Sequence, residues 1–433
     1  MSSLWRETRL PGFPPLEGDC KTDVLIIGGG MAGLLCAHFL KQEGVDCLLL
    51  EADTIASGVT GNTTAKLTAQ HGLCYADLIK RFGREKAAMY LKANLEALDA
   101  YRELCREIDC DFETKASYVY SLDDRAGLER EVKALTGLRY PAELVEKLSL
   151  PFPTVGAVRF PDQAQFHPLK FLAAITQDLP IREHTRVTEL RGYEAVTEQG
   201  TVTADKIIVA THFPFLNKHG LYFLKLYQSR SYVLALERAA DPDGMYLDAS
   251  GKGLSLRTAG GYLLLGGGSH RTGKKSEGWN GLRQTARRYW PGSVEKYHWA
   301  AQDCMSLDGA PYIGLYSRAT PRLYMASGFN KWGMTGSMVA ARLLTQRVLG
   351  QPSPYAPVFD TDRTLLRPQL AVNGLESTVN LLTPTAPRCP HLGCALKWNR
   401  AEHSWDCPCH GSRFTQSGRV LNNPANGDME KRK

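Results

Sequence analysis

Two short stretches near the C-terminal end of a 433-residue chain concentrate its metal-binding side chains: CPHLGC at Cys389–Cys394 and CPCHGS at Cys407–Ser412. Cys389 and His391 form a C-x-H pair, and Cys407 and His410 a C-x-x-H pair. Two thiolates and two neutral imidazoles in that spacing are the ligand set of a Rieske-type [2Fe–2S] centre, with the thiolates on one iron and the imidazoles on the other. Zinc is the rival for any Cys/His set. The histidine positions, in their HLGC and CHGS contexts, fit zinc poorly. The chemistry supplied is one-electron transfer.

The second chemical signal stands at the opposite end. Asp23–Ile27 reads as an apolar strand running into Gly28-Gly29-Gly30-Met31-Ala32-Gly33, then a helical stretch Leu34–Glu43 and a second apolar strand Cys47–Leu50 ending at Glu51. This is a βαβ unit with G-x-G-x-x-G at its first turn. Gly28 permits the turn, Gly30 lets the backbone approach a pyrophosphate, and Gly33 lets helix and strand pack, while the helix N-terminus faces the negative charge. Glu51, 23 residues beyond Gly28, is placed to accept from ribose hydroxyls. Near the end of the first 350 residues a glycine-bearing loop, Gly328 through Trp332, Gly333, Met334 and Thr335, opens a helix over Ser337–Leu349, the form of a loop beside a flavin. Gly266-Gly267-Gly268 follows a strand but leads into polar residues, so a separate nicotinamide domain is not expected. The organic cofactor read from this pattern is FAD.

Length and a 43% hydrophobic content suffice for two or three packed cores. Lys and Arg (52) are dispersed among 45 acidic residues, a balance that does not argue for nucleic acid. The N-terminal residues have no apolar signal region, and Val24–Leu40 is broken by four glycines, so no transmembrane segment is expected. Seven cysteines outside the cluster motif lack paired spacing, which suits a reducing, cytoplasmic location. Apolar spacing predicts helices over Tyr75–Phe82, Lys86–Ile108 and Asp124–Thr136; Thr201–Ala210 has the pattern of strands, and Leu221–Glu237 and Gly244–Gly268 read as β-rich, with Tyr232–Leu236 and Tyr262–Leu265 the clearest strands. The segments interleave: 20–85, 150–220 and 300–350 form a nucleotide domain, 86–149 and 221–299 a substrate or cap domain, 351–357 a linker and 358–433 the cluster module.

With both motifs placed, the chain resembles the D-amino-acid-oxidase-like FAD oxidoreductases, in the bacterial branch with a C-terminal Rieske domain. The resemblance rests on Ser57–Gly72 (SGVTGNTTAKLTAQHG), Ala210–Pro214 (ATHFP), Ser255–Arg257 (SLR), Gly266–Gly273 (GGGSHRTG), Trp299–Gly314 (WAAQDCMSLDGAPYIG) and Gly328–Gly336 (GFNKWGMTG). It implies an α/β (α+β) fold: a Rossmann-like FAD domain of the p-hydroxybenzoate-hydroxylase type, interleaved with a β-sheet and helical substrate domain, plus a small all-β Rieske domain. It also implies hydride transfer to the flavin, with Ser57, Gly58 and Thr63 along the FAD. Cys394 and Cys409 match the extra pair of Rieske proteins in respiratory cytochrome complexes, which implies a disulfide. In those proteins a hydroxyl at the position of Ser412 raises the potential. Phe414 stands where high-potential members carry tyrosine, so a lowered potential is implied.

Two departures qualify the resemblance. Amino-acid-oxidising relatives place a carboxylate-clamping arginine where this chain reads Ala301-Gln302-Asp303. Only about thirty residues separate the linker from Cys389, so the Rieske base is expected to be incomplete or supplied by the FAD domain. Candidate catalytic groups are Lys66 and His71 after the FAD loop, His270 beside the three glycines, and Arg257, which would replace the missing clamp. Arg230 reads as an outward, solvated strand residue. The expected activity is dehydrogenation of a small amine, amino acid or hydroxy compound, with electrons passing through the cluster to an external acceptor or donor protein or a quinone. The alternative is an electron-transfer or redox-sensing protein without an organic substrate.

Overall fold

Cys20–Ile27 is buried along its apolar half and pairs in parallel with Cys47–Leu50 on one side and Thr201–Val209 on the other. Leu323–Ser327 extends the sheet in parallel, Tyr312–Leu315 adds an antiparallel edge, and Ile181–Arg182 closes the other side. A near-continuous apolar run is what a parallel strand covered on both faces requires. Helix Met31–Gln42 starts at Gly30 directly after the first strand and packs against helix Gly333–Val348. In this computed structural model, residues 2–217, 219–251, 253–384 and 387–429 are described.

A second, nine-stranded sheet runs Val294–Ser306, Leu226–Glu237, Tyr262–Arg271, Ser255–Ala259, Met245–Asp248, Glu113–Ser121, Gly156–Gln165 and Lys66–Leu67, with Glu143–Val145 beside Gly156–Gln165. The three long strands at its first edge hydrogen-bond in antiparallel register, Ser229 opposite Arg271 and Arg230 opposite Gln302. Helices Tyr75–Phe82, Arg84–Leu104 and Arg125–Gly137 lie where apolar spacing puts them, the second ending four residues short of Ile108. Segment boundaries drawn from composition cut across this sheet. Gly156–Gln165 and Lys66–Leu67, assigned above to the nucleotide segments, pair within it, and Val294–Ser306 crosses residue 299.

The C-terminal module is a four-stranded antiparallel sheet, Lys397–Asn399, Ser404–Asp406, Arg413–Thr415 and Val420–Asn422, carrying the cysteine loops at one end. Between the nucleotide part and Cys389 the described residues contain no strand. Helix Pro368–Leu382 stands there, with Asn373 and Asn380 buried and Val372, Leu375, Val379 and Leu382 exposed. Asn373 bonds the carbonyl of Leu224 and receives a hydrogen bond from Arg271, which accounts for its inward place. Among the described residues no helix is long and apolar enough to cross a membrane.

Candidate functional site

A cavity of about 1520 Å³ runs from the glycine turn to the C-terminal module. It is walled by Gly28, Gly30, Glu51, Ser57, Gly58 and Thr63, by Lys66, His71, Trp332, Gly333 and Met334, and by Asn422 and Asn423 of the module, of which Asn423 donates to the Thr211 and Phe213 carbonyls close beside Gly28. The glycines satisfy specific needs. Gly28 has φ +111°, and a Cβ there would lie 2.6 Å from the Ala210 carbonyl oxygen. At Gly33 a Cβ would lie 2.0 Å from the Gly28 oxygen, so this residue holds helix and turn together rather than facing the cavity. The helix beginning at Met31 has no side-chain cap and no acidic residue in its first turn, which leaves its N-terminal dipole available to a pyrophosphate. Glu51 accepts from the backbone N–H groups of Gly29 (2.6 Å) and Asp53 (2.9 Å) and stands at the same end of the cavity. These features fit FAD. Gly33→Ala is therefore expected to yield protein purified with little flavin, read from the flavin-to-protein absorbance ratio.

The predicted chemical groups separate into those on the cavity and those behind it. Lys66 is buried and donates to the Tyr246 carbonyl (2.9 Å) and to Ser255 Oγ. Burial, reinforced by Arg257, pulls its pKa down to about 7. An unfolded lysine titrates near about 10.4. Between those values the unfolded chain binds a proton that the native chain does not, so stability rises with pH across that window. Lys66→Met is expected to flatten this rise, measured as Tm against pH for the two proteins.

His71 lines the cavity with its ring stacked 4.7 Å from Trp332, but both nitrogens are engaged: Nδ1 with Tyr90 Oη at 2.6 Å and Nε2 with the Thr68 carbonyl at 2.8 Å. Burial holds it neutral, with a pKa of about 3. Thr335 stands behind the wall, its Oγ1 bonded to the Thr68 carbonyl at 3.1 Å. Gly328, at φ +72°, forms a turn packed on Leu226 and Ser306. His270 does face the cavity, with Nδ1 bonded to the Gly268 carbonyl at 3.0 Å.

Arg257 is not brought to the cavity as a clamp. Its guanidinium donates to the carbonyls of Thr64 (3.0 Å), Ala65 (2.7 Å) and Thr258 (3.1 Å), which ties the FAD loop to the second sheet. Asp303 and Lys331 line the cavity instead. Burial pushes the Asp303 carboxyl up to about 6 against the opposing pull of Lys331, and Lys331 donates to Ser269 Oγ at 2.6 Å. Asp303 lies in the very segment where the clamp arginine is missing. Lys331 sits one place before Trp332, and only its loop position hinted at a role.

The cysteine loops form two matching turns. Gly393 N–H donates to the Cys389 carbonyl and Gly411 N–H to the Cys407 carbonyl, both at 2.9 Å. Cys394 and Cys409 are joined as a disulfide. The sulfurs of Cys394, Cys407 and Cys409 lie within 4.8 Å of one another, but two of them are bonded together, so they are not a ligand set. Cys389, His391, Cys407 and His410 remain as the groups that could hold a cluster. Contact with Cys407, above all, brings the Cys389 thiol down to about 7, with Ser412 adding to the effect. His391 and His410 face each other at 5.0 Å, and burial drives their pKa values to about 4 and about 3, leaving the neutral imidazoles that bind metal. Their Nδ1 atoms are buried without a hydrogen-bond partner among the described residues, as atoms reserved for iron would be. The outer nitrogen of His391 is bonded to Asn217 Oδ1 at 2.9 Å, an orienting contact that fixes the tautomer. Phe414 is fully buried and offers no donor.

Arg230 proves to be buried rather than solvated. It forms a two-pronged ion pair with Glu402 of the C-terminal module, and Arg413 holds the same carboxylate at 2.9 Å. The module is thus fastened to the nine-stranded sheet that walls the cavity.

Comparison with known proteins agrees with this arrangement. The family described as FAD dependent oxidoreductase matches residues 23–347, and the Rieske [2Fe-2S] domain family matches residues 363–432. A putative Rieske 2Fe-2S iron-sulfur protein, YhfW, of Bacillus subtilis is 34% identical, over 98% of this chain and 96% of its own length. Among solved structures, glycine oxidase from Geobacillus kaustophilus superposes with a TM-score of 0.67 at 19% identity, covering 79% of this chain and 99% of that one. L-proline dehydrogenase from P. horikoshii gives 0.65 at 15% identity, covering 80% and 98%. These two likenesses speak for the fold. The chain belongs to the FAD dependent oxidoreductase family and carries a C-terminal Rieske domain, so that its cofactors are FAD and a [2Fe–2S] cluster.

Proposed function

We propose that the protein is a dehydrogenase: a small amine, amino acid or hydroxy compound is oxidised in the cavity, and the electrons leave singly through the Rieske module to an external acceptor protein or quinone. The carrying observation is the single cavity that both the glycine turn and Asn422 and Asn423 of the Rieske module line, with Asn423 bonded to the Thr211 carbonyl beside Gly28. FAD supplies hydride acceptance and the cluster one-electron transfer, a division that turns two-electron chemistry into single steps. The chain's own residues bind and orient. Glu51 holds the ribose end, Ser57, Gly58 and Thr63 border the pyrophosphate path, and Lys66 places a basic nitrogen against the cavity. Elsewhere on the cavity lining, the Asp303 carboxylate accepts a proton from the substrate's amine or hydroxyl, and Lys331 Nζ and His270 orient it. The reading places the protein in the cytoplasm, where its free thiols stay reduced.

A second reading, an electron carrier without an organic substrate, is favoured by one observation: Arg257 is bonded to three backbone carbonyls, and the clamp it would have supplied is missing from the cavity. Anaerobic stopped-flow absorbance against a panel of amines, amino acids and hydroxy acids separates the two. Flavin bleaching followed by cluster reduction supports the dehydrogenase. Flavin that no compound bleaches, in a protein whose cluster is reduced by ferredoxin, supports the carrier.

A further inference from the structure

Four consecutive backbone carbonyls span the loop between Cys407 and Ser412, and each accepts a hydrogen bond from a side chain outside the module. Arg271 donates through Nε to the Pro408 oxygen at 2.9 Å and through Nη2 to the Cys409 oxygen at 2.8 Å. Gln228 Nε2 donates to the His410 oxygen at 2.8 Å, and Gln302 Nε2 to the Gly411 oxygen at 2.8 Å. Gln302 also donates to Gln228 Oε1 at 2.7 Å, and Thr272 Oγ1 donates to Gln302 Oε1 at 3.2 Å, so the amides are locked in one orientation. The approach is close. A Cβ on Gly411, which has φ +88°, would lie 2.5 Å from Gln228 Cβ, and one on Gly273 would lie 2.7 Å from Pro408 N.

The three donors occupy adjacent strands of the nine-stranded sheet; Gln228 and Gln302 lie behind the cavity, which their neighbours Ser229 and Asp303 line, while Arg271 lines it itself. Successive residues of a strand point to opposite faces. The cavity and the cluster loop therefore share one wall, a single sheet thick. Arg271 is also the cation of this set, near enough to act electrostatically on both Cys407 and His410.

We propose that Arg271, Gln228 and Gln302 are positioning residues for the iron–sulfur cluster: they pin its second ligand loop to the cavity wall, and the Arg271 charge raises the cluster's midpoint potential. The proposal rests on the cluster reading and on neither direction of electron flow, so it stands apart from the choice between dehydrogenase and carrier. A positive charge beside a cluster stabilises its reduced, more negative form. Each amide holds a loop carbonyl that is otherwise buried and unsatisfied.

Two variants of the full-length holoprotein test it, with FAD absorbance as the control for folding. Arg271→Gln keeps a donor and removes the charge. An EPR-monitored redox titration is expected to give a lower midpoint potential with the cluster signal retained, and an unchanged potential overturns the electrostatic role. Gln302→Met releases one carbonyl and one amide. Hydrogen exchange at the Cys407 and Gly411 amides is expected to quicken roughly tenfold, and exchange equal to that of the unaltered protein overturns the pinning role. If Gln302→Met retains no cluster, exchange is compared on both proteins after cluster removal: faster exchange in the variant upholds the pinning role, and equal exchange overturns it.

Discussion

Glu402→Ala is expected to destabilise the protein by about 3–5 kcal/mol, because it leaves the buried guanidinium of Arg230 without its counter-charge. Both partners of the Arg230–Glu402 pair are only 6% exposed, and Arg413, which shares the carboxylate, is equally buried. Arg413 keeps a second partner, Asp406, at 2.9 Å, whereas Arg230 pairs with no other carboxylate among the described residues. Urea unfolding measures the loss. A cost below about 1 kcal/mol, the range of an exposed pair such as Arg106–Glu103, would sink the idea. The double variant Arg230→Met/Glu402→Met removes both charges, and should recover much of the stability if the cost is that of an unpaired ion rather than of a lost contact. The pair also has a pH signature. Burial pushes the Glu402 carboxyl up, but Arg230 and Arg413 outweigh it and hold the pKa below the usual value. A depressed carboxylate contributes stability that is complete above the unfolded value near about 4.3 and is lost as pH falls through the native one. The alanine variant should therefore lose less stability on acidification than the unaltered protein.

Where the chain's chemistry is written in contiguous residues, the sequence was sufficient. The four candidate cluster ligands occupy two six-residue stretches, and the βαβ turn occupies one, so spacing alone carried them, whereas the Cys394–Cys409 disulfide was implied by the family resemblance. Helices with regular apolar spacing were legible for the same reason. What escaped was everything decided by distant pairing. Arg257 and Arg230 both sit on strands, and a strand residue's face is fixed by its neighbours in the sheet, so nothing local distinguished a solvated arginine from one bonded to Thr64 and Ala65 or to Glu402. Helix Pro368–Leu382 was missed because its buried face is polar: Asn373 and Asn380 turn inward, Asn373 toward a partner far away in sequence, and the apolar residues face out. The shortened Rieske base follows the same logic. Its support comes from Gln228, Arg271 and Gln302, and no reading confined to residues 358–433 contains them.

Cys407→Ser should produce a protein with bound FAD and no [2Fe–2S] signal, and it separates the two halves of the chemistry more sharply than any cavity variant. Removal of an orienting partner of a metal ligand already costs about 10–100-fold in metal affinity, and loss of a thiolate ligand should exceed that. Gly28, Glu51, Ser57 and Thr63, which would hold the flavin, line a cavity to which neither cysteine loop contributes, so the visible flavin bands should persist while the cluster absorbance and EPR signal vanish. On the dehydrogenase reading, a substrate that bleaches the flavin in the unaltered protein should still bleach it in the variant, and steady-state reduction of a one-electron acceptor should fall on the order of 100-fold. On the carrier reading, reduced ferredoxin should no longer reach the flavin at all. Undiminished acceptor reduction in a protein proved free of cluster would mean that electrons leave the flavin directly, and the cluster would then lie off the path that the shared wall of Gln228, Arg271 and Gln302 so closely defines.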